Sequence, residues 1–230
     1  MTPTAGGGRA AAESPVGGGR IAFERPAGYR AALSARADRV RFLVVPSRRD
    51  LSVDGDDAPG SEGFRAAIES LYPLAYTLHL RLKRRGVEAP VGALEGLYWV
   101  GAMGPIPPDR FRASTDARGS WSWRLLLPIP DEATDDDIAA ATDEVRAKKA
   151  PAMLDRIRTD RWEEGEAAQV LHVGPYADEP ATIDRLHAAI ASAGLIPRGC
   201  HHEIYIGDPN RSAPEKLKTV LRQPVGVGEG

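Results

Sequence analysis

Between Val40 and Val225 one order of elements occurs twice: strand, helix, strand, strand. In the first half VRFLVVP (40–46) is apolar and β-branched, and a proline closes it, which predicts a strand. DGDDAPG (54–60) is turn chemistry. Phe64, Ile68, Leu71, Ala75, Leu78 and Leu82 then recur at spacings of three and four, one face of a helix over about 61–84. Pro73 inside that pattern predicts a kink or a split, because its ring removes a backbone donor and crowds the preceding turn. Residues 91–100 and 120–129 predict two further strands. Thr134 opens a connecting helix, with Asp135, Asp136 and Asp137 in its first turn, where the helix dipole favours anions.

The second half repeats the theme. Residues 166–173 predict a strand ended by Gly174-Pro175, and a helix follows over about 178–194, with Pro180 near its start and Gly194 at its stop. Residues 200–206 and 217–225 predict the last two strands. The duplication predicts an α+β fold of two βαββ modules, about 40–130 and 131–225, with helices on one face of largely antiparallel sheets. Related by a pseudo-twofold axis, the modules would leave a pocket at their junction and make one domain over 21–225. Residues 1–20, with two glycine triplets and no apolar block, and residues 226–230 read as flexible tails.

Composition narrows the function. The 230 residues carry 30 Lys and Arg against 32 Asp and Glu, a net charge of −2, with no basic footprint for nucleic acid. The single cysteine, Cys200, excludes an intramolecular disulfide and a multi-cysteine zinc site, and fits a cytoplasmic setting. No apolar run approaches the roughly 18–20 residues of a membrane span. The nucleophile elbow GxSxG, the phosphate loop GxxxxGK[ST] and the zinc motif HExxH are all missing. Neither a metal nor a cofactor is expected, and the oligomeric state is left open.

Strand alternation sorts the candidate residues. It sets His201, Glu203 and Tyr205 on one face of the 200–206 strand, and Cys200, His202, Ile204 and Ile206 on the other. In the matching strand of the first half, Glu95, Leu97 and Trp99 share a face against Leu94, Gly96, Tyr98 and Val100. Each half thus offers one glutamate, Glu95 or Glu203, either solvated at a strand start or part of a site. Trp99, Trp121, Trp123 and Tyr205 alternate with polar or small neighbours. Tyr72, Tyr76 and His79 form a second stripe on the Pro73 helix, suited to a core or to the wall of a half-wet pocket. Flat aromatics with one or two carboxylates make a site for a large planar ligand.

The segments AIESLYPLAYTLHL (67–80), ALEGLYW (93–99), WSWRLLLPIP (121–130), VLHVGPYADEPATIDRLH (170–187), HHEIYIGDP (201–209) and KTVLRQPV (218–225) together resemble the GyrI-like small-molecule-binding family. They are most similar to its cyclopropanoid cyclopropyl hydrolases. The resemblance implies two βαββ modules around an aromatic cage with a buried glutamate, which binds bulky planar aromatic xenobiotics. It further implies hydrolysis of the cyclopropane of DNA-alkylating natural products such as yatakemycin, giving self-protection or drug resistance. Glu203, with Glu95 second, would be catalytic, and Tyr72, Tyr76, His79, Trp99, Trp121, Trp123 and Tyr205 would bind the ligand. A non-catalytic, drug-sequestering protein is the alternative. The chain departs from the family pattern at His79, Tyr98 and Gly207, where Lys, Trp and Ser are frequent.

Overall fold

The structure, a computed structural model, describes residues 21–112, 121–208 and 211–228, so the tail expected at 1–20 lies outside the described residues. In chain order the elements are α1 (Tyr29–Ala32), β1 (Arg41–Val45), β2 (Arg48–Gly55), α2 (Glu62–Arg84), β3 (Leu94–Val100) and β4 (Trp121–Ile129). They continue with α3 (Asp135–Lys148), β5 (Arg158–Trp162), β6 (Gly165–Val173), α4 (Glu179–Ser192), β7 (Leu195–Pro197), β8 (His201–Tyr205) and β9 (Lys218–Val227). The fold is α+β, with the strands in one curled antiparallel sheet of order β1-β6-β9-β8-β3-β4-β2-β5 and β7 added beside β9. β9 runs on to Val227, into the stretch expected to be a tail.

The two modules are legible in that order. β2, α2, β3 and β4 repeat as β6, α4, β8 and β9, and β3 meets β8 at the centre of the sheet. The first strand of the first module is therefore β2 rather than the predicted 40–46. That predicted strand is β1, and it pairs with β6 of the second module. β5, which precedes β6 as β1 precedes β2, pairs with β2 of the first module. The pseudo-twofold thus includes an exchange of flanking strands.

Ser61 caps α2, its hydroxyl accepting from the Phe64 N–H at 3.2 Å. The helix buries Phe64, Ala67, Leu71, Leu74, Leu78 and Leu82 against β2 and β4. It runs through Pro73 as one element, so the proline does not split it. A proline inside a helix costs about 3 kcal/mol, whereas each fully buried leucine contributes roughly 1.5–3 kcal/mol. Leu71, Leu74 and Leu78, fully buried around the proline, outweigh it. On α3 the capping box is complete, with the Thr134 hydroxyl accepting from the Asp137 N–H and the Asp137 carboxylate accepting from the Thr134 N–H. α4 begins with Pro180 in its first turn and stops at Gly194, whose φ of +69° is the left-handed turn that glycine favours. α2 and α4 lie on the same face of the sheet, one per module, and leave a gap over the β3–β8 seam.

Candidate functional site

That gap is a cavity of about 900 Å³. Ile68, Tyr72 and Tyr76 of α2 form one wall, and Glu179, Pro180 and Ile183 of α4 the other. The floor is Tyr98 of β3, Trp121 of β4, and Glu203 and Tyr205 of β8, with Phe111 packed edge-on to Trp121 also lining the cavity. The rings of Tyr72 and Tyr76 stack, with centroids 6.0 Å apart and planes 25° apart, and Tyr76 reaches the solvent-exposed rim.

Register explains the floor. The β3–β8 ladder runs from Leu94 opposite Tyr205 to Tyr98 opposite His201, with Gly96 opposite Glu203 at its middle. The pseudo-twofold therefore carries Tyr98 onto Tyr205 and Gly96 onto Glu203. The Tyr98 ring lies across Gly96, where a Cβ would come within 2.6 Å of the phenol oxygen. Its hydroxyl meets that of Tyr205 at 2.5 Å, and the Tyr205 hydroxyl donates to Glu203 Oε2 at 2.7 Å. A hydroxyl has one proton, so Tyr98 is the donor to Tyr205. The other carboxylate oxygen, Oε1, lies 3.4 Å from Nε2 of the fully buried His201, whose ring meets the Phe111 ring at 4.6 Å. Burial, reinforced by the Glu203 charge, pushes both Tyr98 and Tyr205 well above the usual phenol value. Burial and then Glu179 push Tyr176 up to about 12. The phenols are thus neutral donors at physiological pH.

Of the predicted site residues, Glu203, Tyr205, Tyr72, Tyr76 and Trp121 meet in the cavity. Four others do not line it. Glu95 and Trp99 point to the opposite face of the sheet, since Glu95 pairs with Ile204 and not with Glu203. Equating the two glutamates slips the register by one residue, which turns a side chain through the sheet. Trp99 packs there on Leu97, Leu126 and Cys200. His79 lies further along α2, where Nδ1 meets the Ala89 carbonyl at 2.6 Å. Trp123 is fully buried behind the wall, edge-on to Phe64, and its indole N–H donates to the Asp57 carbonyl at 3.0 Å and the Asp57 carboxylate at 2.9 Å.

The residues that the sequence reading missed are Tyr98, Phe111, Tyr176 and Glu179. For Tyr98 a signal was present: set LEGLY over HHEIY by their tyrosines, and Tyr98 falls on Tyr205.

Glu95 belongs to a buried ionic chain on the far face. Arg48 binds Asp50 at 2.8 Å and Glu95 at 2.6 Å, while Tyr29 donates to Glu95 and stacks its ring 4.0 Å from the Arg48 guanidinium. His202 bridges Glu95 and Glu164 at 2.8 Å each, and Arg222 joins Glu164 to Gln169 at 2.8 Å each. Carboxylates face both His202 nitrogens, so both nitrogens donate and the ring is an imidazolium. Burial alone would lower its pKa, but Glu164 and Glu95 outweigh that and raise it. Burial likewise pushes Glu95 up, and Arg48, His202 and Tyr29 together bring it below the usual carboxylate range. Among the described residues no group of His, Cys, Asp or Glu is arranged to hold a metal ion, and no helix is long and apolar enough to cross a membrane.

The profile of the GyrI-like small molecule binding domain matches residues 126–225. The crystal structure of an uncharacterized conserved protein from Listeria innocua is similar at 32% identity and a TM-score of 0.74, over 84% of this chain and 94% of that one. A hydrolase from Listeria innocua is similar at 31% identity and a TM-score of 0.71, over 86% of this chain and 96% of that one. The EcmrR C-terminal domain, 11% identical over 83% of this chain and 98% of that one with a TM-score of 0.52, shares the fold alone. No curated protein matches the chain.

Proposed function

Because the chain belongs to the GyrI-like small-molecule-binding family, we propose that its cavity takes a bulky planar aromatic molecule and hydrolyses it, with Glu203 as the base. One observation carries this reading. Glu203 stands at the centre of an aromatic floor, with one oxygen held by Tyr205. The hydrolase among the similar structures supports catalysis over binding alone.

The substrate class follows from what so small a catalytic set can do. A cyclopropane conjugated to a dienone is strained, and attack on its methylene restores an aromatic phenol. Such a substrate needs only to be held flat, given a water, and stabilised at its carbonyl oxygen. DNA-alkylating natural products of the yatakemycin type have this chemistry, and their hydrolysis in the cytoplasm would protect a cell that makes or meets them. Tyr72, Tyr76 and Trp121 offer stacking area, Glu203 orients and deprotonates the water, and the phenols supply donors.

Incubating the protein with such an alkylator and following the mass should show the addition of one water. Glu203→Gln keeps shape and hydrogen bonding but removes basicity, so turnover should fall about 10²–10⁴-fold with affinity retained. Recovery of unchanged ligand from a tight wild-type complex would replace this reading with sequestration.

A further inference from the structure

Tyr98, so far only one of the cavity's phenol donors, ends a continuous hydrogen-bonded chain in the cavity floor. We propose that Glu203, Tyr205 and Tyr98 form a proton relay, in which the carboxylate removes a proton from the attacking water and Tyr98 delivers one to the substrate's dienone oxygen. The proposal rests on the hydrolase reading above and makes Tyr98 its catalytic acid.

The bonds balance without an added reagent. The water oxygen bonds to the cyclopropane methylene, and the bond from that methylene to the ring carbon breaks. Its electron pair runs through the dienone to the carbonyl oxygen, which becomes a phenol oxygen. One proton must leave the water and one must reach that oxygen, at opposite ends of a six-membered ring. The relay connects the base to a second donor through two hydrogen bonds, 2.7 Å from Tyr205 to Glu203 and 2.5 Å between the two phenols.

At rest the chain points from Tyr98 through Tyr205 to the ionised Glu203. Once Glu203 has taken the water's proton it becomes a donor, and rotation about each phenol C–O bond reverses the direction. Glu203 then gives its proton to Tyr205, Tyr205 gives its own to Tyr98, and Tyr98 gives its own to the dienone oxygen. The carboxylate is regenerated, and each phenol ends neutral. No free phenolate forms, which suits groups whose burial disfavours ionisation. Geometry holds the chain together. The two phenols are pseudo-twofold mates that lean together over the middle of the ladder, and Gly96 leaves the space that the Tyr98 ring needs.

The test is the steady-state hydrolysis of an indole-fused spirocyclopropyl cyclohexadienone by wild type, Tyr98→Phe, Tyr205→Phe, the double variant and Gly96→Ala, with melting temperatures as a control on folding. Tyr98→Phe and Tyr205→Phe should each lower kcat by about 10²-fold with little change in KM, and the double variant should lose no more than either single one. Gly96→Ala keeps both phenols but displaces one ring, and should show a similar loss. In mixtures of light and heavy water the wild-type rate should report several protons in flight, and Tyr205→Phe fewer. Wild-type turnover with Tyr205→Phe at full speed, or single losses that multiply in the double variant, would overturn the relay and leave the hydrolase reading standing. A wild type that adds no water to the ligand would overturn both.

Discussion

Gly55 and Gly96 both lie on the helix-bearing face of the sheet beneath an aromatic ring, Trp123 in one case and Tyr98 in the other. What these positions require is empty volume, since neither has the positive φ that favours glycine. A side chain at Gly55 would overlap the Trp123 indole, which has no free space to retreat into. Gly55→Val should therefore destabilise the protein by about 1–3 kcal/mol, the usual cost of overpacking, measurable by urea denaturation. Alternation alone placed Glu203 and Tyr205 correctly on one face of their strand. It also grouped Glu95 correctly with Leu97 and Trp99, and the error lay in matching Glu95 to Glu203 across the repeat, where Tyr98 and Tyr205 correspond. A glycine carries no pattern signal, so the space reserved for Tyr98 was invisible until the ladder was known.

Among the elements, legibility followed amphipathicity. α2 and α4 announced themselves by periodicity and caps, and α3 by its acidic first turn. Removing the α3 cap with Thr134→Ala should cost about 1 kcal/mol, read as a lower urea midpoint. Asp137, held down to about 2 by the Thr134 hydroxyl and N–H and by Arg85, should titrate closer to the ordinary value in that variant, a shift that NMR can follow. β2 was missed for a different reason. Its sequence RRDLSVDG looks like a polar loop, yet Arg48, Asp50 and Ser52 are buried, their charge and polarity absorbed on the far face of the sheet. β5 (RTDRW) is charged because it is an edge strand, and charge there discourages further pairing. Patterns built on apolar residues pass over both.

At the scale of the whole molecule, the ionic chain ties the modules together. Arg48, Asp50 and Glu95 come from the first, and His202, Gln169 and Arg222 from the second, with Glu164 immediately before β6. The raised pKa of His202 means that its contribution is complete below the unfolded imidazole value and is lost as pH rises through the folded one. The lowered pKa values of Glu95 and Glu164 place their contribution above the unfolded carboxylate value, to be lost on acidification. Asp50, pushed up to about 6 by burial, works the other way and costs stability as pH rises through that value. Urea midpoints across pH should show His202→Gln losing the alkaline decline specific to the imidazolium. His202→Ala, which leaves two buried carboxylates facing each other, should cost about 3–5 kcal/mol at neutral pH. The exchange of β1 and β5 between the modules has a consequence in time. During synthesis β1 emerges first and must wait for β6, and β2 has no outer neighbour until β5 is made. Pairings so far apart in sequence are slow to form. The first half must therefore persist with two unpaired strand borders before the second arrives, a state in which an early encounter between two nascent chains can complete the exchange between molecules instead of within one.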